Sequence, residues 1–211
     1  MKTAQASGLR GAELAAFMAQ CAHETLNFRH MSEIGGSLDF RKYDPASRKV
    51  LDRRKAKQLG NVKAGDGARY RGRGFIQLTG RDNYRRAGDA LGLDLEKHPD
   101  LVERPSVAAR VAIWFWKNRV QPDVDDFHNV RAVTQKINPG LHGLESRRDF
   151  FNDYRQKINQ MFGQQKPTAD KKTPPPAQPP VRSVSQPDTK PSKTGHDGWH
   201  SYNIKTGKWD Y

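Results

Sequence analysis

Two glutamates nine residues apart, Glu24 and Glu33, are the side chains of this sequence best placed for acid–base chemistry. Glu24 stands in Ala22-His23-Glu24-Thr25. It ends a run in which Leu14, Phe17, Met18, Cys21 and Ala22 recur at three- and four-residue spacing, the pattern of an amphipathic helix. At about 100° per residue, Glu24 falls beside Phe17 and Cys21, at the border of the apolar stripe. A carboxyl there is partly desolvated, desolvation raises a carboxyl pKa, and a carboxyl that keeps its proton near neutrality can act as a general acid. An ordinary polar residue at a helix edge would give the same local pattern. Glu33 lies just past the helix, beside Gly35-Gly36. Cleavage of a glycosidic bond needs an acid to protonate the leaving oxygen and usually a second carboxylate to activate water or stabilise the cationic transition state. A helix-borne acid and a loop-borne carboxylate could meet that need, although glutamates fall at this spacing by accident too. Asp39 and Asp44 compete for the second role.

Other chemistries fit less well. His23-Glu24 begins the zinc-protease pattern H-E-x-x-H, but the second histidine position holds Asn27. His30, His98, His128 and His142 lack ligand spacing, and Cys21 is the single cysteine, so no metal site, cofactor or internal disulfide is expected. Cys21 reads as a small buried apolar residue. The segment Tyr70-Arg71-Gly72-Arg73-Gly74-Phe75-Ile76-Gln77-Leu78-Thr79-Gly80-Arg81-Asp82-Asn83-Tyr84 has glycines that match no phosphate-binding pattern. If extended, it would set Phe75, Gln77 and Thr79 on one face. Gln77, Thr79 and Asn83 would offer amide and hydroxyl groups to a sugar or a water molecule.

The elements that must position these residues are helical. The pattern predicts helices over Gly11 to about Thr25, Asp82 to about Leu91, from Pro105-Ser106 through the apolar Val107 to Trp116, Val130 to Ile137, and Glu145 to about Phe162. Asp39 to Ala68 is polar and basic, with Gly60, Gly65 and Gly67, and reads as a loop. Phe162 is expected to close the core. At Gly163 the composition changes: eight of the 13 prolines fall between Pro167 and Pro191, a segment too poor in apolar residues to fold. The division is therefore residues 1–163 as a folded domain, 164–195 as a Pro-rich linker and 196–211 as a short tail. That tail carries Trp199, Tyr202, Trp209 and Tyr211 and suits a small hairpin or a docking or wall-binding peptide.

Net charge is +14, from 37 basic and 23 acidic residues. Residues 164–211 hold 8 Lys/Arg and 4 Asp/Glu, hence +4, which leaves +10 on residues 1–163. Such a field favours anionic partners: nucleic acid, anionic lipid or an acidic cell wall. The basic residues are spread over loops rather than gathered on one recognition element, which argues against specific nucleic-acid binding. No run approaches the roughly 20 apolar residues of a membrane span. Met1 to Gly8 lacks the apolar core of a signal peptide, so if the chain works outside the cytoplasm, other means would carry it there.

The Ala22-His23-Glu24 segment and the stretch from Tyr70 to Tyr84 resemble those of the family-19 chitinase-like glycoside hydrolases, particularly the phage and bacterial endolysin (lysozyme) branch. The likeness continues through Ala112-Ile113-Trp114-Phe115-Trp116, Ile137-Asn138-Pro139-Gly140-Leu141, and Arg147 with Phe150, Phe151 and Tyr154. It implies a mainly α, lysozyme-like domain of two helical lobes around a glycan cleft. It implies Glu24 as the acid, Glu33 as the second carboxylate, and Gln77, Thr79 and Asn83 lining the substrate and water site. Asn138 would contact sugar and Arg147 would lie near the catalytic carboxylates. The plant chitinases of the family place their second glutamate further along, on a longer loop with disulfides that this chain lacks, so the short interval here resembles the endolysins. The implied substrate is bacterial peptidoglycan, with a phage structural protein or the envelope as a further partner of the tail. The alternatives are a chitinase, or a virion or wall-binding protein that keeps the fold without catalysis.

Overall fold

The computed structural model describes residues 1–162 and, beyond them, only the backbone of 202–203 and 208–209. The Pro-rich segment and most of the tail lie outside the described residues. The chain runs through α1 (Lys2–Ala6), α2 (Gly11–Glu24), α3 (Val50–Gln58), α4 (Asp66–Arg69), α5 (Arg81–Leu91), α6 (Pro105–Arg119), α7 (Val130–Ile137) and α8 (Leu144–Phe162). Two short strands, β1 (Tyr202–Asn203) and β2 (Lys208–Trp209), pair antiparallel, with Tyr202 opposite Trp209. None of the described helices is long and apolar enough to cross a membrane.

The main core is built around α2. Ala15, Ala16, Ala19 and Ala22 present so little bulk that neighbours approach from every side, and each residue from Leu14 to Glu24 is buried. Glu24 is thus enclosed at 4% exposure rather than at a half-wet border. Along α2 pack α8, through Phe151 and Ile158, and α7, whose first turn is capped by the Asn129 side chain accepting from the Ala132 N–H at 3.1 Å. The proline at the start of α6 costs no helical hydrogen bond there. Its Trp116 meets Phe17 of α2 edge to face, with ring centroids 5.4 Å apart.

A smaller apolar cluster of Phe40, Tyr43 and Leu59 lies in the stretch expected to be a loop. That segment contains a 3₁₀ turn over Asp39–Tyr43, then α3 and α4. Helix α3 buries only Lys55 and Ala56, so its polar sequence lacks the apolar repeat that announces a helix. Phe162 is 41% exposed, so Ile158, not Phe162, is the last core residue of α8.

The Tyr70–Tyr84 segment is a turn rather than an extended strand. Arg73 and Leu78 exchange both backbone hydrogen bonds (3.2 and 2.8 Å), and Ser32 bridges to Arg73 from the other side. Between them Gly74 (φ 74°) and Gln77 (φ 53°) turn the chain back in left-handed conformations. Phe75, Gln77 and Thr79 therefore do not form one extended face. The turn is pinned by buried Arg73, which donates to Glu103 at 2.8 Å and to the Tyr84 hydroxyl at 3.0 Å. Gly80 then passes so close to α3 that a Cβ would sit 2.7 Å from the Leu59 carbonyl oxygen.

Candidate active site

Glu24 is the last residue of α2, and Arg147 reaches it from the first turn of α8. The Arg147 guanidinium has no exposed surface and donates through Nη2 to Glu24 Oε1 at 2.6 Å. Its Nη1 donates to Gln20 Oε1, one helical turn before Glu24, and its Nε to the His142 carbonyl at 3.3 Å. Gln20 in turn donates to the Thr134 hydroxyl of α7 at 3.3 Å. Three helices thus clamp one carboxyl through one cation. Asn138 joins this network at its edge: it is 2% exposed, donates to the same His142 carbonyl at 3.4 Å and accepts from the Gly140 N–H at 3.0 Å. In this structure its amide shapes the loop between α7 and α8.

His23, next to Glu24, shares a 3.1 Å hydrogen bond with the Ser146 hydroxyl. Burial, reinforced by the Arg147 charge, pulls its pKa down to about 3, so the ring is neutral near neutrality. Gly143 (φ 71°) lies against that ring so closely that a Cβ there would collide with it. Burial and the Glu24 charge push the Cys21 thiol up, which leaves no reactive thiolate beside Glu24.

Glu33 sits in a second cluster, carried to the turn by the Ser32–Arg73 bridge. Its own N–H donates to the Gly72 carbonyl at 2.8 Å, and the Gly72 N–H donates back to Oε2 at 3.2 Å. Oε1 faces Lys42 Nζ at 3.2 Å and the Tyr43 hydroxyl at 3.3 Å. Lys55 of α3 lies over the Tyr43 ring at 4.8 Å, and burial above all, then the charge of Lys42, draws its pKa down to about 6. The rivals for the second carboxylate accept backbone N–H groups, Asp39 within its own turn and Asp44 also across to the start of α4. Asp39 accepts from the Gly36 N–H at 2.8 Å, and Asp44 from the N–H groups of Ala46 and Gly65 at 2.9 and 2.7 Å.

Gln77, Thr79 and Asn83 are all buried and hydrogen-bonded in series. Gln77 donates to the Gly74 carbonyl at 3.0 Å, Thr79 to the Gln77 carbonyl at 2.9 Å and Asn83 to the Thr79 carbonyl at 2.7 Å. The structure therefore gathers Glu24, Arg147 and Asn138 in one network, Gln77, Thr79 and Asn83 in another, and anchors Glu33 to the base of the second. Sequence reasoning missed Gln20, Lys42, Tyr43 and Lys55. Gln20 could have been found four residues before Glu24 on the same helical face. The two lysines and Tyr43 carry no such signal in a stretch read as loop.

Two of the buried carboxyls, Glu24 beside Arg147 and Glu33 beside Lys42, are groups of the kind that carboxylate-based glycan hydrolysis requires. The sequence profile described as chitinase class I, glycoside hydrolase family 19, matches residues 1–148. A glycosyl hydrolase family 19 domain-containing protein of Haemophilus influenzae is 38% identical over 151 residues, 63% of this chain and 74% of that relative. Endochitinase EP3 of Arabidopsis thaliana is 33% identical over 150 residues, 67% of this chain and 50% of its own length. The chain spans about half the length of that plant relative. Among solved structures, chitinase C from Streptomyces griseus aligns with a TM-score of 0.53 and 28% identity, covering 70% of this chain and 60% of that one. A bacterial family 19 chitinase aligns with a TM-score of 0.53 and 27% identity, covering 74% and 83%. The chain belongs to glycoside hydrolase family 19.

Proposed function

We propose that this chain hydrolyses β-1,4 glycosidic bonds of bacterial peptidoglycan, with Glu24 as general acid and Glu33 as the second carboxylate. The observation that carries the reading is the Glu24 carboxyl, buried at the end of α2 with Oε1 held by Arg147 at 2.6 Å. Paired with Arg147 through Oε1, Glu24 would take up on Oε2 the proton it needs as acid and pass it to the leaving glycosidic oxygen. Once the proton has left, Arg147 stabilises the carboxylate that remains. Glu33, fixed by Gly72, Lys42 and Tyr43, would activate water or balance the cationic sugar. Gln77, Thr79 and Asn83 would line the sugar and water path, and Asn138 would touch sugar through the loop it braces.

Peptidoglycan is favoured over chitin by charge. Residues 1–163 carry +10, which has an electrostatic partner in a carboxylate-bearing wall and none in a neutral polymer. The second reading, hydrolysis of chitin, is favoured by the names of the plant and Streptomyces relatives. On the wall reading the protein acts outside the cytoplasm, as a released lytic enzyme or one carried in a phage particle. Incubation with purified sacculi and, separately, with chitin oligosaccharides separates the two readings by mass spectrometry of the fragments. Muropeptides with newly formed reducing ends are expected, and the identity of the reducing sugar names the bond cut. Glu24→Gln should lower the rate by about 10²–10⁴-fold in a folded protein. Near-normal turnover in that variant would remove Glu24 from the chemistry.

A further inference from the structure

Beside the Glu24 centre, on the other side of the loop that holds Arg147, lies a cavity of about 730 Å³. His23 lines it together with residues 141–143 and the start of α8, where Ser146 meets the His23 ring at 3.1 Å, and Phe150 of α8 adds to the lining. The His142 carbonyl grips Arg147, while the His142 residue itself lines the cavity, so acid and cavity share one loop. The cavity thus opens one residue along α2 from the candidate acid.

The chain after α2 reaches the cavity by an unusual route. Leu26, Asn27 and Phe28 all have left-handed φ, at 50°, 59° and 64°. The Asn27 N–H donates to the Ala22 carbonyl at 2.7 Å, and the Phe28 N–H to the Thr25 hydroxyl at 2.9 Å. The turn sends Phe28 away to meet Phe75 edge to face, with centroids 5.3 Å apart, and leaves Leu26 and Asn27 on the cavity. Leu26, Leu141, Leu144 and Phe150 supply an apolar floor, and Arg29 and His30 stand exposed at the rim. The carboxylate on that rim, Glu145, is paired with Arg148 at 2.6 Å.

We propose that this cavity receives the peptide substituent of a peptidoglycan strand, an aliphatic side chain on the floor and a carboxylate at Arg29 and His30. The inference rests on the peptidoglycan reading above. An unsubstituted N-acetylglucosamine polymer could lay its acetamido methyls and C–H ring faces on the apolar floor, but it carries no carboxylate for the cationic rim. A wall glycan carries peptides on alternate sugars, and those peptides combine methyl groups with free carboxylates. Charge complementarity and apolar lining therefore point to the same branch, set to the side of the scissile bond.

The test uses the full chain on three substrates: wall glycan strands with their peptides, the same strands stripped by an amidase, and chitin oligosaccharides. The wild type should show a higher kcat/KM on peptide-bearing than on stripped strands. Arg29→Ala combined with His30→Ala should lower kcat/KM on peptide-bearing strands by about tenfold, mainly through KM, and leave stripped strands unchanged. Leu144→Gln, which keeps the rim and spoils the floor, should act in the same direction. Equal wild-type rates on both kinds of strand, or equal losses on both in the variants, would overturn the proposal. Cleavage of chitin oligosaccharides with neither wall strand cut would instead overturn the peptidoglycan reading, and the peptide site with it.

Discussion

Arg147 and Glu24 are two ions with almost no access to water, so their pairing is held by need as much as by attraction. Taking both from water is costly, and removing one leaves the other buried without its counter-charge, a loss of about 3–5 kcal/mol. Arg147→Met should therefore lower unfolding free energy by about that amount at neutral pH. Adding Glu24→Gln to the same chain should recover most of the loss, because the stranded charge is gone. Urea unfolding of the two single variants and the double variant measures this directly, and a double variant no better than Arg147→Met would mean that Arg147 acts through packing instead. Glu24 and Arg147 were legible in the sequence because each sits in a specific family motif. Their geometry was not legible, since the two stand 123 positions apart and α8 comes onto α2 only through the shared core. Glu33 was found as a residue but not as an ion pair. Lys42 and Tyr43 gain meaning only once the 3₁₀ turn over Asp39–Tyr43 points them back at it.

Among the elements, α2 and α3 each bury a group that would rather carry a proton. His23 has a folded pKa of about 3, below its ordinary 6.5, and Lys55 one of about 6, below 10.5. Between the two values of each pair the unfolded chain binds a proton that the folded chain refuses, so stability rises with pH across that window. For His23, stability is complete above pH 6.5 and falls toward pH 3, at up to about 1.4 kcal/mol per unit. For Lys55 the rise runs from about pH 6 toward 10.5. Melting followed by calorimetry from pH 4 to 9 should thus show Tm climbing. His23→Gln should flatten the acid limb and Lys55→Met the alkaline limb. An unchanged acid limb in a folded His23→Gln protein would show that other groups set it. The helices α2 and α5 to α8 were readable because their apolar residues repeat on helical faces. Helix α3 was not, because its contribution to the core is little more than Ala56 followed by Leu59. The Gly74–Leu78 turn was misread for a related reason. Its alternation of apolar and polar residues imitates a strand, and nothing in a glutamine at position 77 announces φ 53°. Three successive left-handed residues at Leu26, Asn27 and Phe28 were equally hidden. They run against an ordinary steric penalty of roughly 1–2 kcal/mol each and are held by the hydrogen bonds around Thr25, the Asn27 N–H to the Ala22 carbonyl and the Phe28–Phe75 contact.

At the scale of the whole molecule, charge and the region after α8 should act separately, and salt can tell them apart. The family match ends at residue 148 and the last buried residue of α8 is Ile158, so a chain shortened to residues 1–163 should keep its core. On the division proposed at Gly163, it should unfold within a degree or two of full length and cut soluble glycan strands at the same rate. Its attraction to sacculi would then rest on the +10 of residues 1–163 alone. The screening length shortens from about 10 Å at 0.1 M salt to about 3 Å at 1 M, so that attraction should fade steeply over the range. Full-length protein adds Trp199, Tyr202, Trp209 and Tyr211, large amphipathic side chains of the kind that anchor interfaces with little dependence on salt. It also gains local concentration near whatever the tail holds. Co-sedimentation of both forms with sacculi across 0.1–1 M salt is therefore expected to give two curves that begin together and separate as salt rises, the shortened form releasing first. Coincident curves throughout would mean that residues 164–211 do not bind the wall, and capture of the isolated tail peptide by a phage structural protein would then be the outcome to seek.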